Sequence, residues 1–435
     1  MINQKYISAT RNHGSIHYRK GILIGFYLLM TLYRAFIFIG FRGTNCPSVW
    51  LKPTASCESY NIIFEMMLWA IVFILFLIEL TWDRDCKGFL RYCKKIWPVF
   101  IFVILAAIST FWSVLPQITL YKVFVLITCT LMAVYTGYVL GIPRFLDVLF
   151  WFFTIISLAN LIFILLFPQA GRWGGFNLWN GMFWHKIYMG AFMALVITIY
   201  TLYLLEWKII SPFKRVLSVL MLLVTAFLLL KSGSVTGLIA TALMVALCLA
   251  IAGWIRWGKL LKPVHYFTML GVVIVSIAFI VIFHDYIFQL LGRSPNLSGR
   301  IPMWTYLLKH AVSQRPILGF GYDAFWNLEG FREQMTSAMG FSLQVSQSDN
   351  GLMEILLHLG SVGLIILLVL IVLGFMRSIE HFRVNRNLLS ALPLILLVYA
   401  IIVNTTVSML LETDSLVWTI VIASQAAIYK PAVNT

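Results

Sequence analysis

Twelve apolar stretches, separated by polar or basic segments, constrain what this chain can fold into. They lie near 21–41, 61–81, 98–112, 123–142, 147–167, 187–206, 216–230, 237–254, 265–283, 352–375, 388–410 and 416–429. A bilayer core about 30 Å thick takes roughly 20 helical residues to cross, and backbone facing lipid must satisfy its own hydrogen bonds. The chain is therefore read as an all-α polytopic membrane protein of about 12 transmembrane helices. Composition agrees, with 61% hydrophobic and 11% charged residues, where an average soluble domain carries about 25% charged. A soluble enzyme, a disordered protein and a disulfide scaffold are excluded. The first apolar run is too long for a signal-peptide core and no small-residue cleavage site follows, so it is read as a retained helix.

The segments between these stretches give five regions: a basic N-terminus (1–20), nine spans (21–283), a long segment (284–351), three spans (352–429) and a tail (430–435). With the N-terminus placed in the cytoplasm, 20 of the 32 lysines and arginines fall in inner segments. Membrane orientation accounts for that bias. The net charge of +16 then implies no nucleic-acid partner. The outer segments are short except 284–351, which is longer than a compact bundle needs and carries an amphipathic helical pattern at 303–312. Cys46 and Cys57 share the first outer loop, where a disulfide is open to them; Cys86 and Cys93 lie in an inner loop and are expected to stay reduced.

Basic residues on the outer face run against the orientation rule. They are Arg42, Lys52, Arg172, Lys186, Lys231, Arg293, Arg300, Lys309, Arg315 and Arg332, with Arg34 inside the first span and Lys122 opening the fourth. Singly each is read as snorkelling or paired; as a set converging on one face they point to an anion site, most simply a diphosphate. Among the few outer acids (Asp285, Asp323, Glu329, Glu333, Asp349, Glu354, Glu412 and Asp414), Asp349 stands where the long segment meets the tenth span. Asn350 and Gly351 after it suit the turn and cap of a helix start. An acid there can cap the helix and still serve as a base, since the helix start favours its ionised form. No nucleophile elbow, P-loop, zinc-protease or dinucleotide motif is present. Gly233, Gly319 and Gly321 are read as packing or turn glycines.

Six segments in order resemble the O-antigen ligase/polymerase family of bacterial membrane glycosyltransferases, in its exopolysaccharide polymerase-like branch. They are FWSVLPQITL (Phe111–Leu120), WNGMFWHKIYMG (Trp179–Gly190), KSGSVTGLIA (Lys231–Ala240), LGRSPNLSGRIPMW (Leu291–Trp304), RPILGFGYDAFW (Arg315–Trp326) and SDNGLMEILLHLGSVGL (Ser348–Leu364). The resemblance implies a GT-C-like fold whose long periplasmic loop carries short helices. It implies an inner-membrane enzyme, with both termini cytoplasmic, acting on an undecaprenyl-diphosphate-linked glycan. It also implies that arginines grip the diphosphate while a residue at the start of the tenth span deprotonates the acceptor hydroxyl.

Mapped onto this chain, Arg300 matches the outer-loop arginine, and His185 and Lys186 match a histidine-lysine pair. Asp349 occupies the position usually held by histidine, and Gly360 keeps the family's spacing. The aspartate leaves two roles open, base or orienter of the acceptor. Val235 stands where many relatives carry a cation, which gives Lys231 a possible phosphate contact. The expected site is thus Asp349 and Arg300 as catalytic residues, with Arg172, His185, Lys186, Lys231, Arg293, Tyr322 and Asn350 binding diphosphate or glycan. Trp173, Trp179, Trp184 and Trp326 are read as ring-stacking or interfacial anchors. No metal or cofactor is expected. Membrane lipids are expected partners, and a chain-length regulator or export complex is a further one. Polymerisation of repeat units is favoured over ligation to a lipid A core. A lipid-linked glycan transporter is the reading outside this class, and the chain shows no matched broken helices in its two halves to support it.

Overall fold

The computed structural model describes residues 20–21, 23–31, 55–82, 86–173, 178–183, 185–206, 211–257, 300–339, 345, 347–409 and 415–430, with backbone alone at 55–64, 173 and 329. The expected span at 265–283 and most of that at 21–41 lie outside these residues. The rest is a multi-pass helical bundle: α1 (23–30), α2 (Ala55–Trp82), α3 (Cys86–Cys93), α4 (Trp97–Ile108), α5 (Pro116–Leu166), α6 (Lys186–Leu205), α7 (Pro212–Ser232), α8 (Val235–Trp257), α9 (Arg300–His310), α10 (Glu329–Ala338), α11 (Gly351–Asn385), α12 (Leu392–Asn404) and α13 (Leu416–Ala427). Between α5 and α6 a small antiparallel ribbon pairs β1 (Arg172–Trp173) with β2 (Leu178–Trp179). Among the described residues seven helices are long and apolar enough to cross a bilayer.

Both sides of these helices are apolar, so packing rather than polarity sets their faces. On α7, Val216, Leu220, Leu223, Phe227 and Leu230 form an exposed stripe at helical spacing. The opposite stripe, Met221, Thr225, Leu228 and Ser232, is buried. This is the pattern of a helix with lipid outside and small or hydroxyl side chains inside. The central helix is α6, on which every residue from Tyr188 to Tyr203 is buried.

Two breaks, the second not apparent in the hydropathy, shape the bundle. Helix α5 runs for 51 residues, about 75 Å if straight, more than twice the hydrocarbon thickness. It is interrupted at Gly141, whose φ of 66° favours glycine, with Pro143 close behind. The contacts show that the chain reverses there. Thr119 and Lys122 at one end meet Tyr322 and Asp323, and Asn160 near the other end meets Met182. The break itself meets the far end of the bundle, where the Lys430 ammonium donates to the Val139 carbonyl. The boundary expected between the fourth and fifth spans is correct, but a glycine turn with no connecting loop makes it.

Helix α11 breaks at Gly360, where φ is 62° and a Cβ would lie 2.3 Å from the carbonyl carbon of Ile317. Residues 316–321 cross the helix here. Phe320 and Gly321 donate to the Leu357 and His358 carbonyls at 2.8 and 3.0 Å, and Pro316 and Ile317 accept from Ser361 and Val362 at 2.9 and 3.2 Å. The crossing segment thus takes up the groups that an unbroken helix would pair across this point, which is the condition for irregular backbone inside a membrane protein. The sequence reading has 352–375 as one continuous span; in the structure residues 351–359 form a separate short helix, with the candidate site at its start.

Candidate functional site

The site is a turn held open at the start of α11. Asn350, not Asp349, caps the helix: its side-chain oxygen accepts from the Leu352 and Met353 amides at 2.9 and 3.2 Å. Its amide reaches the Thr405 carbonyl at 3.5 Å, so Asn350, expected to bind substrate, is occupied by fold contacts. Two residues earlier, Ser348 donates its amide to the Glu354 carboxylate at 2.6 Å. Asp349 lies between these two anchors with φ at 53°, a conformation non-glycine residues seldom adopt. Its carboxylate is thereby freed from capping and turned to other groups.

Those groups come from distant parts of the chain. Arg300, the first residue of α9, directs Nε and Nη2 at the same oxygen, Asp349 Oδ2, at 3.2 and 3.1 Å. The other oxygen, Oδ1, accepts from Gln347 Nε2 at 2.9 Å, and Gln347 Oε1 accepts from the Tyr188 hydroxyl at 2.8 Å. The pair stays partly open, with Arg300 15% and Asp349 28% exposed. Helix α9 is seated by Met303 and Leu307, buried one turn apart, and by Trp304, whose indole donates to the Ser348 carbonyl at 2.7 Å.

The start of α6 borders the same turn. His185 caps α6 through Nδ1, which accepts from the Ile187 amide at 3.2 Å. Burial, then Lys186, then Arg300 push its imidazole down to about 4, so it is neutral near pH 7. Lys186 follows it as the first residue of α6, and Arg300 lies close enough to act on the same imidazole.

The remaining expected site residues divide by what they touch. Lys231 stands 5.8 Å from the ring centres of Trp179 and Phe227, and Arg172 sits in β1. Neither pairs with the Arg300–Asp349 couple. Arg293 and Trp184 lie outside the described residues, as do Arg34, Arg42, Lys52, Cys46, Asp285, Glu412 and Asp414. Tyr322 is corrected: it is fully buried, edge-on to His358 at 5.9 Å, and packs in the core with no face open to a sugar. Lys122 leaves the set of unexplained cations, and Asp323 that of candidate bases, because they pair at 3.2 Å. Arg315 donates to the Trp112 carbonyl at 3.1 Å, and Arg332 to the Val345 carbonyl at 3.3 Å. Among the described residues, Arg300 is the expected outer-face cation whose printed contacts place it on Asp349. Among the described residues no group of three or more His, Cys, Asp or Glu side chains is placed to hold a metal ion.

Sequence reasoning passed over Glu354 as a site element, and Gln347 and Tyr188 entirely. Glu354 is buried, accepts from Ser348 and from the Trp326 indole at 2.6 and 2.7 Å, and has His358 Nε2 at 3.4 Å. The signal for it was available: an acid and a histidine four apart within an apolar span are expensive unless built in. Glu354→Ala leaves two buried donors unpaired. It is expected to cost about 3 kcal/mol of stability, read as a lowered unfolding midpoint in detergent. Glu354→Gln, which keeps one acceptor oxygen, should cost less.

Residues 216–368, which hold Arg300, Asp349 and Gly360, match a family model described as O-antigen ligase. The chain is also 27% identical over 173 residues to an exopolysaccharide production protein, ExoQ, of Rhizobium meliloti (strain 1021). That match spans 37% of this chain and 37% of the relative.

Proposed function

We propose that this chain, which belongs to the O-antigen ligase/polymerase family, joins undecaprenyl-diphosphate-linked repeat units into a polysaccharide by inverting glycosyl transfer. The site would face the periplasm, with the protein in the bacterial inner membrane and both termini cytoplasmic. The Arg300–Asp349 couple carries the reading: an acid and a guanidinium meet in one partly open turn. The relative's role in exopolysaccharide production supports a polymer as product.

In the proposed step an acceptor hydroxyl attacks the anomeric carbon of the donor sugar. Asp349 accepts the hydroxyl proton while the bond from that carbon to the diphosphate oxygen breaks, and the electron pair leaves with the undecaprenyl diphosphate. A carboxylate in reach of the hydroxyl suffices for the first part. A guanidinium has five N–H donors, and Arg300 uses only Nε and Nη2 on Asp349. Its other N–H groups remain for the diphosphate, so one side chain contacts both base and leaving group. Positive charge where leaving-group charge develops is often the largest catalytic term, and Lys186 adds to it. Lys231, Arg172 and Arg293 would contact the donor further out.

The experiment is reconstitution in liposomes with lipid-diphosphate oligosaccharide of the host's own repeat unit as both donor and acceptor. A ladder of multiples with released lipid diphosphate is expected. A single glycan added only when lipid A core is supplied would replace polymerisation by ligation. Movement of the intact donor across the bilayer without its consumption would replace both by transport.

A further inference from the structure

Tyr188 and Gln347 are 159 positions apart in the sequence, yet they form one chain of hydrogen bonds ending on the carboxylate. We infer that they are positioning residues for Asp349, holding its Oδ1 so that the carboxylate keeps its aim while Arg300 engages a diphosphate. The inference rests on the reading of Asp349 as the base and adds to it the groups that orient that base.

An amide side chain can present either its oxygen or its nitrogen to a neighbour. Tyr188 removes that ambiguity. Its hydroxyl donates to Gln347 Oε1 at 2.8 Å, which leaves Nε2 to donate to Asp349 at 2.9 Å. Tyr188 is mounted in the first turn of the central helix and is 8% exposed, so it offers a rigid reference, the support a catalytic group needs from the residues behind it. Asp349 is otherwise held by its own turn, through the Asn350 cap and the Ser348–Glu354 bond, and by Arg300. The turn fixes the backbone, and Arg300 is the group a diphosphate would draw upon. The Gln347 amide is therefore the side-chain contact on Oδ1, given to the carboxylate alone, while Arg300 divides its N–H groups between Oδ2 and the diphosphate.

The test uses the full-length protein in liposomes. It compares Gln347→Ala and Tyr188→Phe, each alone, together and in the Asp349→Asn background. Gln347→Ala is expected to lower kcat about tenfold, the order of one hydrogen bond to a charged group, with donor KM nearly unchanged. Tyr188→Phe, nearly isosteric, should lower kcat by less, again with donor KM nearly unchanged, and the double variant should behave as Gln347→Ala alone. In the Asp349→Asn background neither substitution should matter further, as for residues acting only through Asp349.

Wild-type kcat in both single variants, with Asp349→Asn inactive, would overturn the positioning role and leave the base standing. A loss confined to donor KM would overturn it too, by making Gln347 a substrate contact. So would an equal further loss in the Asp349→Asn background. Full activity of Asp349→Asn itself would remove the base, and the positioning role with it. If Gln347→Ala fails to fold, Tyr188→Phe carries the test by its split between kcat and KM and by its silence in the Asp349→Asn background.

Discussion

Asp349→Asn is expected to lower glycosyl transfer by about 10²–10⁴-fold, the range that general-base catalysis contributes, while the protein folds and still binds donor. The substitution keeps the shape of the side chain, and what fixes the turn does not depend on charge. Asn350 still caps α11 and Glu354 still accepts from Ser348. An amide cannot take a hydroxyl proton, so the loss belongs to kcat and donor KM moves little. Asp349→His is the sharper variant. An imidazole can accept the proton, and model histidine titrates near 6.5 where model aspartate titrates near 3.9. Partial activity is expected, with its acid limb displaced to higher pH. Measuring kcat against pH for wild type and both variants, beside unfolding midpoints, checks this. A fully active asparagine variant would reduce Asp349 to an orienting group.

The spans were legible because membrane helices are recorded in local composition, and the structure moves most of their boundaries by only a few residues. Arg300 and Asp349 were legible for a different reason, each lying in a distinctive segment at an element's edge. That the two touch was not written locally, since they are 49 positions apart. The same limit explains what was misread. Lys122 looked like a stray cation opening a span because its partner Asp323 is some 200 positions later. Tyr322 looked like a sugar platform because a tyrosine in an outer segment is usually accessible. Here it is drawn into the core by the segment that crosses α11, with Ser109 accepting from its amide at 3.0 Å.

The break in α11 was hidden by hydropathy, which cannot distinguish a glycine that continues a helix from one that ends it. Gly360 is informative only beside residues 316–321, because the break is stable where another segment takes up the freed backbone groups. The Gly319–Gly321 stretch and the start of α11 therefore act as one structural unit. It sets the short helix whose N-terminus carries Asp349, and it seats Trp326 against Glu354 beneath the turn. Two motifs that look like separate signals in sequence are two halves of one splice.

Arg300→Gln is expected to lower transfer by about 10²–10³-fold, the loss seen when one preorganised donor to a developing negative charge is removed. It should differ from Asp349→Asn in kind. The arginine has N–H groups on both sides of the chemistry, so its loss should raise donor KM as well as lower kcat. Arg300→Lys keeps the charge but replaces a planar fork with a compact ammonium. It can stand beside the carboxylate or reach the diphosphate, but it cannot span the two as the guanidinium does. It is expected to fall between wild type and the glutamine variant, recovering more donor affinity than turnover. Equilibrium binding of the lipid-diphosphate donor, set against turnover, separates the two contributions. A glutamine variant with unchanged donor affinity and wild-type turnover would place Arg300 outside both roles and leave Lys186 as the cation facing the leaving group.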